Sequence, residues 1–211
     1  MCNESIGLDF SRWDGKINWS VVKSRKPDFI IMRSSYAGHT LDPLWLTDNK
    51  VLGSYPGVRG VYHVPSPDKA LNIERSILDL VIQHEPSPDI VALDLEIYHG
   101  SLPKRALDLA YHVEDNYNLP VFIYTNVDFR NKYTAQQFPK ELFKFPLWVA
   151  HWTTKAIPLI PRGWDDYVIW QYSANGNKMG LEWGVSARDV DLNRVSPVYG
   201  SLAKYLAERV K

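Results

Sequence analysis

The sequence holds a single cysteine, Cys2, among 211 residues. No disulfide can form within the chain, and no cysteine-built metal centre is available. Net charge is lacking too, since Lys plus Arg and Asp plus Glu both number 24. No bulk attraction to nucleic acid or to an anionic membrane surface is therefore expected. No apolar run approaches the length of a membrane-spanning helix, so no membrane insertion is expected. No glycine-rich turn joins a strand to a helix as a phosphate cradle would. Repeats, low-complexity tracts and linkers are missing, which predicts one domain over 1–211 with no second binding module. The start, Met1-Cys2-Asn3-Glu4-Ser5, has neither the basic nor the apolar region of a secretory leader. This predicts synthesis in the cytoplasm without a visible signal peptide, or a leader already removed.

What is present reads as a folded globular chain, with 45% hydrophobic and 23% charged residues. Eight strands are expected near 5–10, 28–34, 59–64, 89–96, 120–126, 146–152, 167–172 and 188–193. Helices are expected over 42–53, 67–84, 103–116 and 198–209. The second is capped by Ser66 with Pro67 in its first turn and carries a stripe of Ala70, Ile73, Ile77, Leu80 and Val81. The third opens at Pro103, and its stripe is Ala106, Leu109, Ala110 and Val113. Residues 153–166 and 173–187 read as loops. A complete eightfold strand–helix barrel needs about 250 residues. The expected class is thus α/β: an irregular, abridged (β/α) barrel of TIM-barrel type with about eight strands and fewer helices.

The segment Val91-Ala92-Leu93-Asp94-Leu95-Glu96 carries the most chemistry. Side chains alternate along a strand, so Ala92, Asp94 and Glu96 share one face, and Val91, Leu93, Leu95 and Ile97 the other. The apolar face demands a helical cover. The two acids stand roughly 6.5 Å apart at Cα, within reach of one scissile bond. Ser5–Phe10 sets Gly7 and Asp9 opposite Ile6, Leu8 and Phe10. Arg188–Asn193 sets Asp189, Asp191 and Asn193 opposite Val190 and Leu192, and Pro120–Asn126 ends in Tyr124 and Asn126 on one face. Polar groups at the C-terminal ends of several distant strands point to one shared site.

These residues carry a family resemblance. From Gly7 to Asn193 the chain resembles the glycoside hydrolase family 25 lysozymes, the CH-type N-acetylmuramidases. The matching elements are Gly7-Leu8-Asp9-Phe10-Ser11 with Trp13 and Trp19, Gly60-Val61-Tyr62-His63, Asp94-Leu95-Glu96, Phe122-Ile123-Tyr124-Thr125, Leu147-Trp148-Val149-Ala150, Trp170-Gln171-Tyr172-Ser173 and Val190-Asp191-Leu192-Asn193. The resemblance implies hydrolysis of the β-1,4 bond between N-acetylmuramic acid and N-acetylglucosamine in peptidoglycan. It implies Glu96 as general acid/base and Asp94 as the carboxylate assisting the substrate's 2-acetamido group. Asp9 and Asp191 match two further acids lining the cleft, and Tyr62 and Tyr124 match aromatic positions near the cleaved sugar. Gln171 and Asn193, inside matching elements, are taken as substrate-binding candidates with them. Two features depart from the family's pattern: Trp152 follows His151 where Tyr is more usual, and residues 97–119 are compact.

Several carboxylates in one cleft raise at least one pKa among them, as a glycosidase needs. A carboxylate nucleophile and assistance by the substrate acetamido group both remain open, the second preferred because peptidoglycan sugars carry that group. Trp148 and Trp170 are expected in the core, and Trp152, at a strand end, on sugar. His63 and His151 are weighed as metal ligands and read as satisfied polar residues, so no metal and no cofactor is expected. Competing readings are a noncatalytic glycan-binding module and a chitinase-like hydrolase of another N-acetylated polysaccharide. The latter enzymes carry a further Asp where this chain has Ala92. A metal-dependent phosphodiesterase is a remote fourth. The expected setting is a monomeric, endolysin-like, antimicrobial enzyme of phage type acting on the bacterial wall.

Overall fold

The computed structural model describes residues 5–37, 39–134 and 136–209; Cys2 and its neighbours in 1–4 lie outside the described residues. In chain order the elements are β1 (Ile6–Phe10), α1 (Trp19–Arg25), β2 (Phe29–Tyr36), β3 (Thr40–Leu41), α2 (Pro43–Gly53), β4 (Val58–His63) and α3 (Leu71–Gln83). There follow β5 (Ile90–Asp94), α4 (Leu102–Tyr117), β6 (Val121–Thr125), α5 (Val127–Asn131), β7 (Leu147–Ala150), β8 (Ile169–Ser173), β9 (Asp191–Val195) and α6 (Leu202–Arg209). Eight strands close in the order β1-β2-β4-β5-β6-β7-β8-β9, with β9 back against β1 and the two-residue β3 attached to β2. The abridged barrel read from the sequence is therefore the observed fold.

One strand of the closed barrel breaks the parallel rule. β9 is antiparallel to both β8 and β1. Its connection from β8 contains only two short 3-10 turns, at Gly176–Lys178 and Gly180–Trp183, and no crossover helix. A parallel return would need such a crossover; a loop on one end of the barrel returns the chain antiparallel. Asp191 thus stands at the beginning of its strand, not at the C-terminal end expected. Because β9 is inverted, that beginning faces the same mouth as the C-terminal ends of the other seven strands.

Alternation sorts the side chains into two layers. Phe29, Ile31, Ile90, Ala92, Phe122, Trp148, Ile169 and Val195 fill the interior. Gly7 and Gly60 make room for them, since a Cβ at Gly7 would overlap the Phe29 ring and one at Gly60 would crowd Ile90 and Ile31. The other faces, including Val91 and Leu93 of β5 with Leu95 just beyond it, pack outward against α3 and α4. Leu8, Phe10, Ile30 and Met32 meet α1 and α2 on the remaining flank. Ile97 does not join this face; it lies beyond the strand and is 57% exposed.

The α4 stripe of Ala106, Leu109, Ala110 and Val113 is fully buried as expected, and Asn118 closes the helix in a left-handed conformation. The α3 stripe is out of phase. The helix begins at Leu71, four residues later than the Ser66 cap implied, and buries Glu74, Leu78, Val81 and Ile82, leaving Ile73 and Leu80 exposed. Ser66 is no cap: its backbone N–H donates to the Glu74 carboxylate at 2.6 Å. A buried glutamate on the inner face misleads a reading that looks for apolar residues alone. Asn126, expected beside Tyr124, instead caps α5 by accepting the Phe129 N–H at 2.7 Å.

Candidate active site

Strand ends at the barrel mouth enclose a cleft of about 490 Å³. β1 delivers Asp9, β4 Tyr62, β5 Asp94, β6 Tyr124, β8 Gln171 and β9 Asp191, and Glu96 and Trp152 follow just past β5 and β7. Leu95 still pairs with the Tyr124 carbonyl at 2.8 Å, so Glu96 is the first residue free of the ladder. Of the catalytic and substrate-binding candidates named from the sequence, Asn193 alone does not line the cleft; it lies fully buried beneath the floor.

Asp9 is held from below by two amides. The Asn193 Nδ2 donates to its Oδ2 at 2.7 Å and the Gln171 Nε2 at 3.0 Å. Each amide is itself oriented. The Gln171 oxygen accepts from the Tyr124 hydroxyl at 2.9 Å and the Trp152 Nε1 at 3.0 Å, and the Asn193 oxygen accepts from the Trp148 Nε1 at 2.8 Å. With its oxygen occupied, an amide can turn only its NH₂ toward the carboxylate. The network fixes Asp9 and ties Trp152 down, although 63% of that residue is exposed.

The acids are unequal. Burial, reinforced by the charges of Asp9 and Asp14, pushes the Asp191 carboxyl up to about 9, so at neutral pH it keeps a proton and donates it to Asp9. Burial also raises Asp9, against the hydrogen bonds from Asn193, Gln171 and Asp191 that favour its ionised form. Asp94 is raised well above the aspartate range by burial, then by the charges of Glu96 and Asp9, with Arg33 opposing. Its Oδ1 is buried and has no hydrogen-bond partner. Glu96 stands open to solvent at the rim, yet the cleft walls withhold enough water to raise it, Asp9 adding to the effect and Arg33 opposing. Such a site sets a carboxyl with a raised pKa, open to solvent at the rim, above buried acids that are held in place.

Several cleft residues escaped the sequence reading. Arg33 lines the cleft while its Nε binds the buried Asp42 at 2.6 Å, the residue that caps α2. A lone cation in the otherwise uncharged strand Phe29–Tyr36 was the available signal. Trp13 and Asp14 follow β1 in a 3-10 turn closed by a Ser11–Asp14 capping box, and burial raises Asp14 to about 7. Trp148 was expected in the core; it is 2% exposed, meets Tyr124 and Tyr62 edge-on, and still borders the cleft floor. Trp170 is wholly buried. Both weighed histidines have structural partners: His63 bonds Ser35 at 2.8 Å and Glu74 at 3.4 Å, and His151 accepts the Leu159 N–H at 2.9 Å. Among the described residues no group of three or more histidines and acids is arranged to hold a metal ion.

Comparison with known proteins places this geometry. Residues 8–181 match the description of glycosyl hydrolases family 25. Over 220 residues the chain is 29% identical to Lysozyme M1 of Streptomyces globisporus, covering 95% of this chain and 70% of that one. The fold is similar to that of a bacterial lysozyme from Streptomyces coelicolor, with a TM-score of 0.76 at 24% identity over 98% and 97% of the two chains. It is also similar to that of the CTP1L endolysin, with a TM-score of 0.77 at 19% identity over 97% of this chain and 70% of that one.

Proposed function

The chain belongs to glycosyl hydrolases family 25 and is a glycoside hydrolase of peptidoglycan, and from that premise we propose that it is an N-acetylmuramidase in which Glu96 and Asp94 carry the chemistry. Peptidoglycan glycan strands are the substrate, cut at the β-1,4 bond between N-acetylmuramic acid and N-acetylglucosamine. Residues 1–211 are read as one catalytic domain, working as a monomer without cofactor.

The observation that carries the reading is the unpartnered, buried Oδ1 of Asp94 beside a solvent-open Glu96 whose pKa is raised. A buried acceptor left without a donor is costly, about 1–3 kcal/mol. The acetamido N–H of a bound sugar supplies the missing donor and is turned so that its carbonyl oxygen meets the anomeric carbon. That oxygen attacks, the glycosidic C–O bond breaks, and the Glu96 proton goes to the departing oxygen. The resulting carboxylate then takes a proton from water as the water opens the cyclic intermediate, which returns Glu96 to its acid form. Burial raises Glu96, and Asp9, fixed by Gln171 and Asn193 and hydrogen-bonded by Asp191, adds to that rise. Tyr62 and Tyr124 remain neutral phenols, raised foremost by burial, and Trp152 offers its ring to the sugar chain.

Digestion of purified peptidoglycan, followed by mass spectrometry of borohydride-reduced products, tests the assignment. Wild type should yield ends bearing reduced muramic acid, and a folded Glu96→Gln variant should form them about 10²–10⁴ times more slowly. Equal yields would remove Glu96 from the chemistry. Intact strands from both proteins would leave a glycan-binding module.

A further inference from the structure

Among the described residues, Arg33 and Glu96 alone line both the cleft and an adjoining cavity of about 360 Å³. The two side chains therefore form the ridge between these spaces, although β4 separates β2 from β5 in the barrel.

Arg33 is gripped by one end. Its Nε donates to the Asp42 Oδ2 at 2.6 Å, and its Nη2 is buried without an acceptor. An arginine that only neutralises a carboxylate commonly binds it with two nitrogens. Asp42 is not free to turn and do so. It is fully buried, and its Oδ1 accepts the Leu44 N–H at 2.9 Å while its Oδ2 also accepts the Arg12 N–H at 3.3 Å. Its own backbone N–H donates to the Ser34 carbonyl at 2.8 Å. So fixed an anchor holds the guanidinium in place and leaves Nη2 uncommitted.

We propose that Asp42 is a positioning residue for the hydrolysis: it holds Arg33 on the ridge, where the guanidinium receives the carboxylate that Glu96 becomes on giving its proton to the departing oxygen. This rests on the reading of Glu96 as proton donor. Glu96 is neutral before the transfer and an anion after it, so a cation fixed beside it stabilises the end of the transfer more than its start. The influence of Arg33 has the matching direction, since its charge opposes the rise that burial and Asp9 impose on Glu96. A negative charge at Asp42 acting directly would weaken the acid; acting through Arg33, it strengthens it.

The test follows the alkaline limb of kcat/KM on a peptidoglycan glycan oligomer for wild type, Arg33→Gln, Asp42→Asn and the double variant, each checked for folding by circular dichroism. The Asn amide keeps its oxygen for the Leu44 N–H, so α2 stays capped, and turns an NH₂ toward the guanidinium, which releases Arg33. Asp42→Ser, another capping residue, takes its place if Asp42→Asn does not fold. All these proteins keep the other ionisable groups around Glu96. These are Asp9, Asp14, Asp94, Asp189, Asp191, Arg188, Tyr62 and Tyr124 in the cleft, and Tyr36, Asp68, Tyr98 and His99 across the ridge. Asp42→Asn should move the limb to higher pH by as much as Arg33→Gln does, and lower kcat/KM on its acid side about tenfold. The double variant should move it no further, because the two changes remove one interaction. A limb unmoved in either single variant, one moved to lower pH in Asp42→Asn, or a double variant that adds the two shifts overturns the positioning role alone. A wild type that leaves the oligomer intact, or a Glu96→Gln variant as active as wild type, overturns the reading of Glu96 and the positioning role with it.

Discussion

Arg33 and Asp9 act on Glu96 with opposite sign, which makes the acid's pKa adjustable from two positions. The Asp9 charge raises Glu96 and the Arg33 charge lowers it. Activity that needs a protonated Glu96 is lost as pH rises through that pKa. Arg33→Gln should therefore move the alkaline limb of the kcat/KM profile to higher pH, and Asp9→Asn should move it to lower pH on reduced activity. Profiles whose alkaline limbs stay in place would show that another group sets them. Asp94→Asn should be nearly as damaging as Glu96→Gln, because its amide presents a donor in place of one of the acceptor oxygens available to the acetamido N–H. The acids and aromatics were legible at this scale because strand alternation exposes them. Arg33 was not, because a cation in an otherwise uncharged strand declares its role only when Asp42 and the cleft are seen around it.

Among the helices, α3 shows how far periodicity carries. Its inner face includes Glu74, fully buried, with His63, Arg105 and the Ser66 N–H gathered around its carboxylate. Burial pushes that carboxyl up, but the hydrogen bonds from His63, Ser66 and Arg105 outweigh it and leave the pKa lowered. The stabilisation is thus present above the ordinary glutamate value and is lost as pH falls through the lowered one. Glu74→Ala leaves Arg105 without its carboxylate and should cost about 3–5 kcal/mol in denaturant unfolding. A cost under about 1 kcal/mol would mean that water replaces the carboxylate freely. In α4, where period and burial agree, Leu109→Ala should cost about 2–5 kcal/mol through the cavity it leaves.

The acidic mouth should set the pH dependence of stability for the whole molecule. Unfolded, Asp191 titrates near 3.8; folded, near 9. Between those values the native state holds a proton that the unfolded chain has released. The stability is fully present below about pH 4 and is lost as pH rises toward 9. Wild type should therefore melt lower at pH 8 than at pH 5. Asp191→Asn should flatten that dependence and exceed wild type at pH 8 by at least about 1 kcal/mol, or about 2–4 °C in Tm, at the expense of activity. Equal melting temperatures at pH 8 would place the proton elsewhere in the acid cluster. No helix among the described residues is long and apolar enough to cross a membrane, and sedimentation at the mass of one chain would bear out the monomer proposed here.

The eight barrel strands, the α4 stripe and the set of cleft acids follow from local rules. Alternation places Asp9 opposite Leu8 and Asp94 opposite Leu93 whatever the rest of the chain does. Closure was the work of tertiary structure. The inversion of β9 depends on a connection without a helix, and only that inversion brings the first residue of one strand to the mouth formed by the last residues of the others. The amide relay beneath Asp9 joins residues up to 184 positions apart. Pairing at such distances is settled by packing in three dimensions, where a buried carboxylate and a buried amide each lower the cost of burying the other. Sequence pattern alone cannot register that.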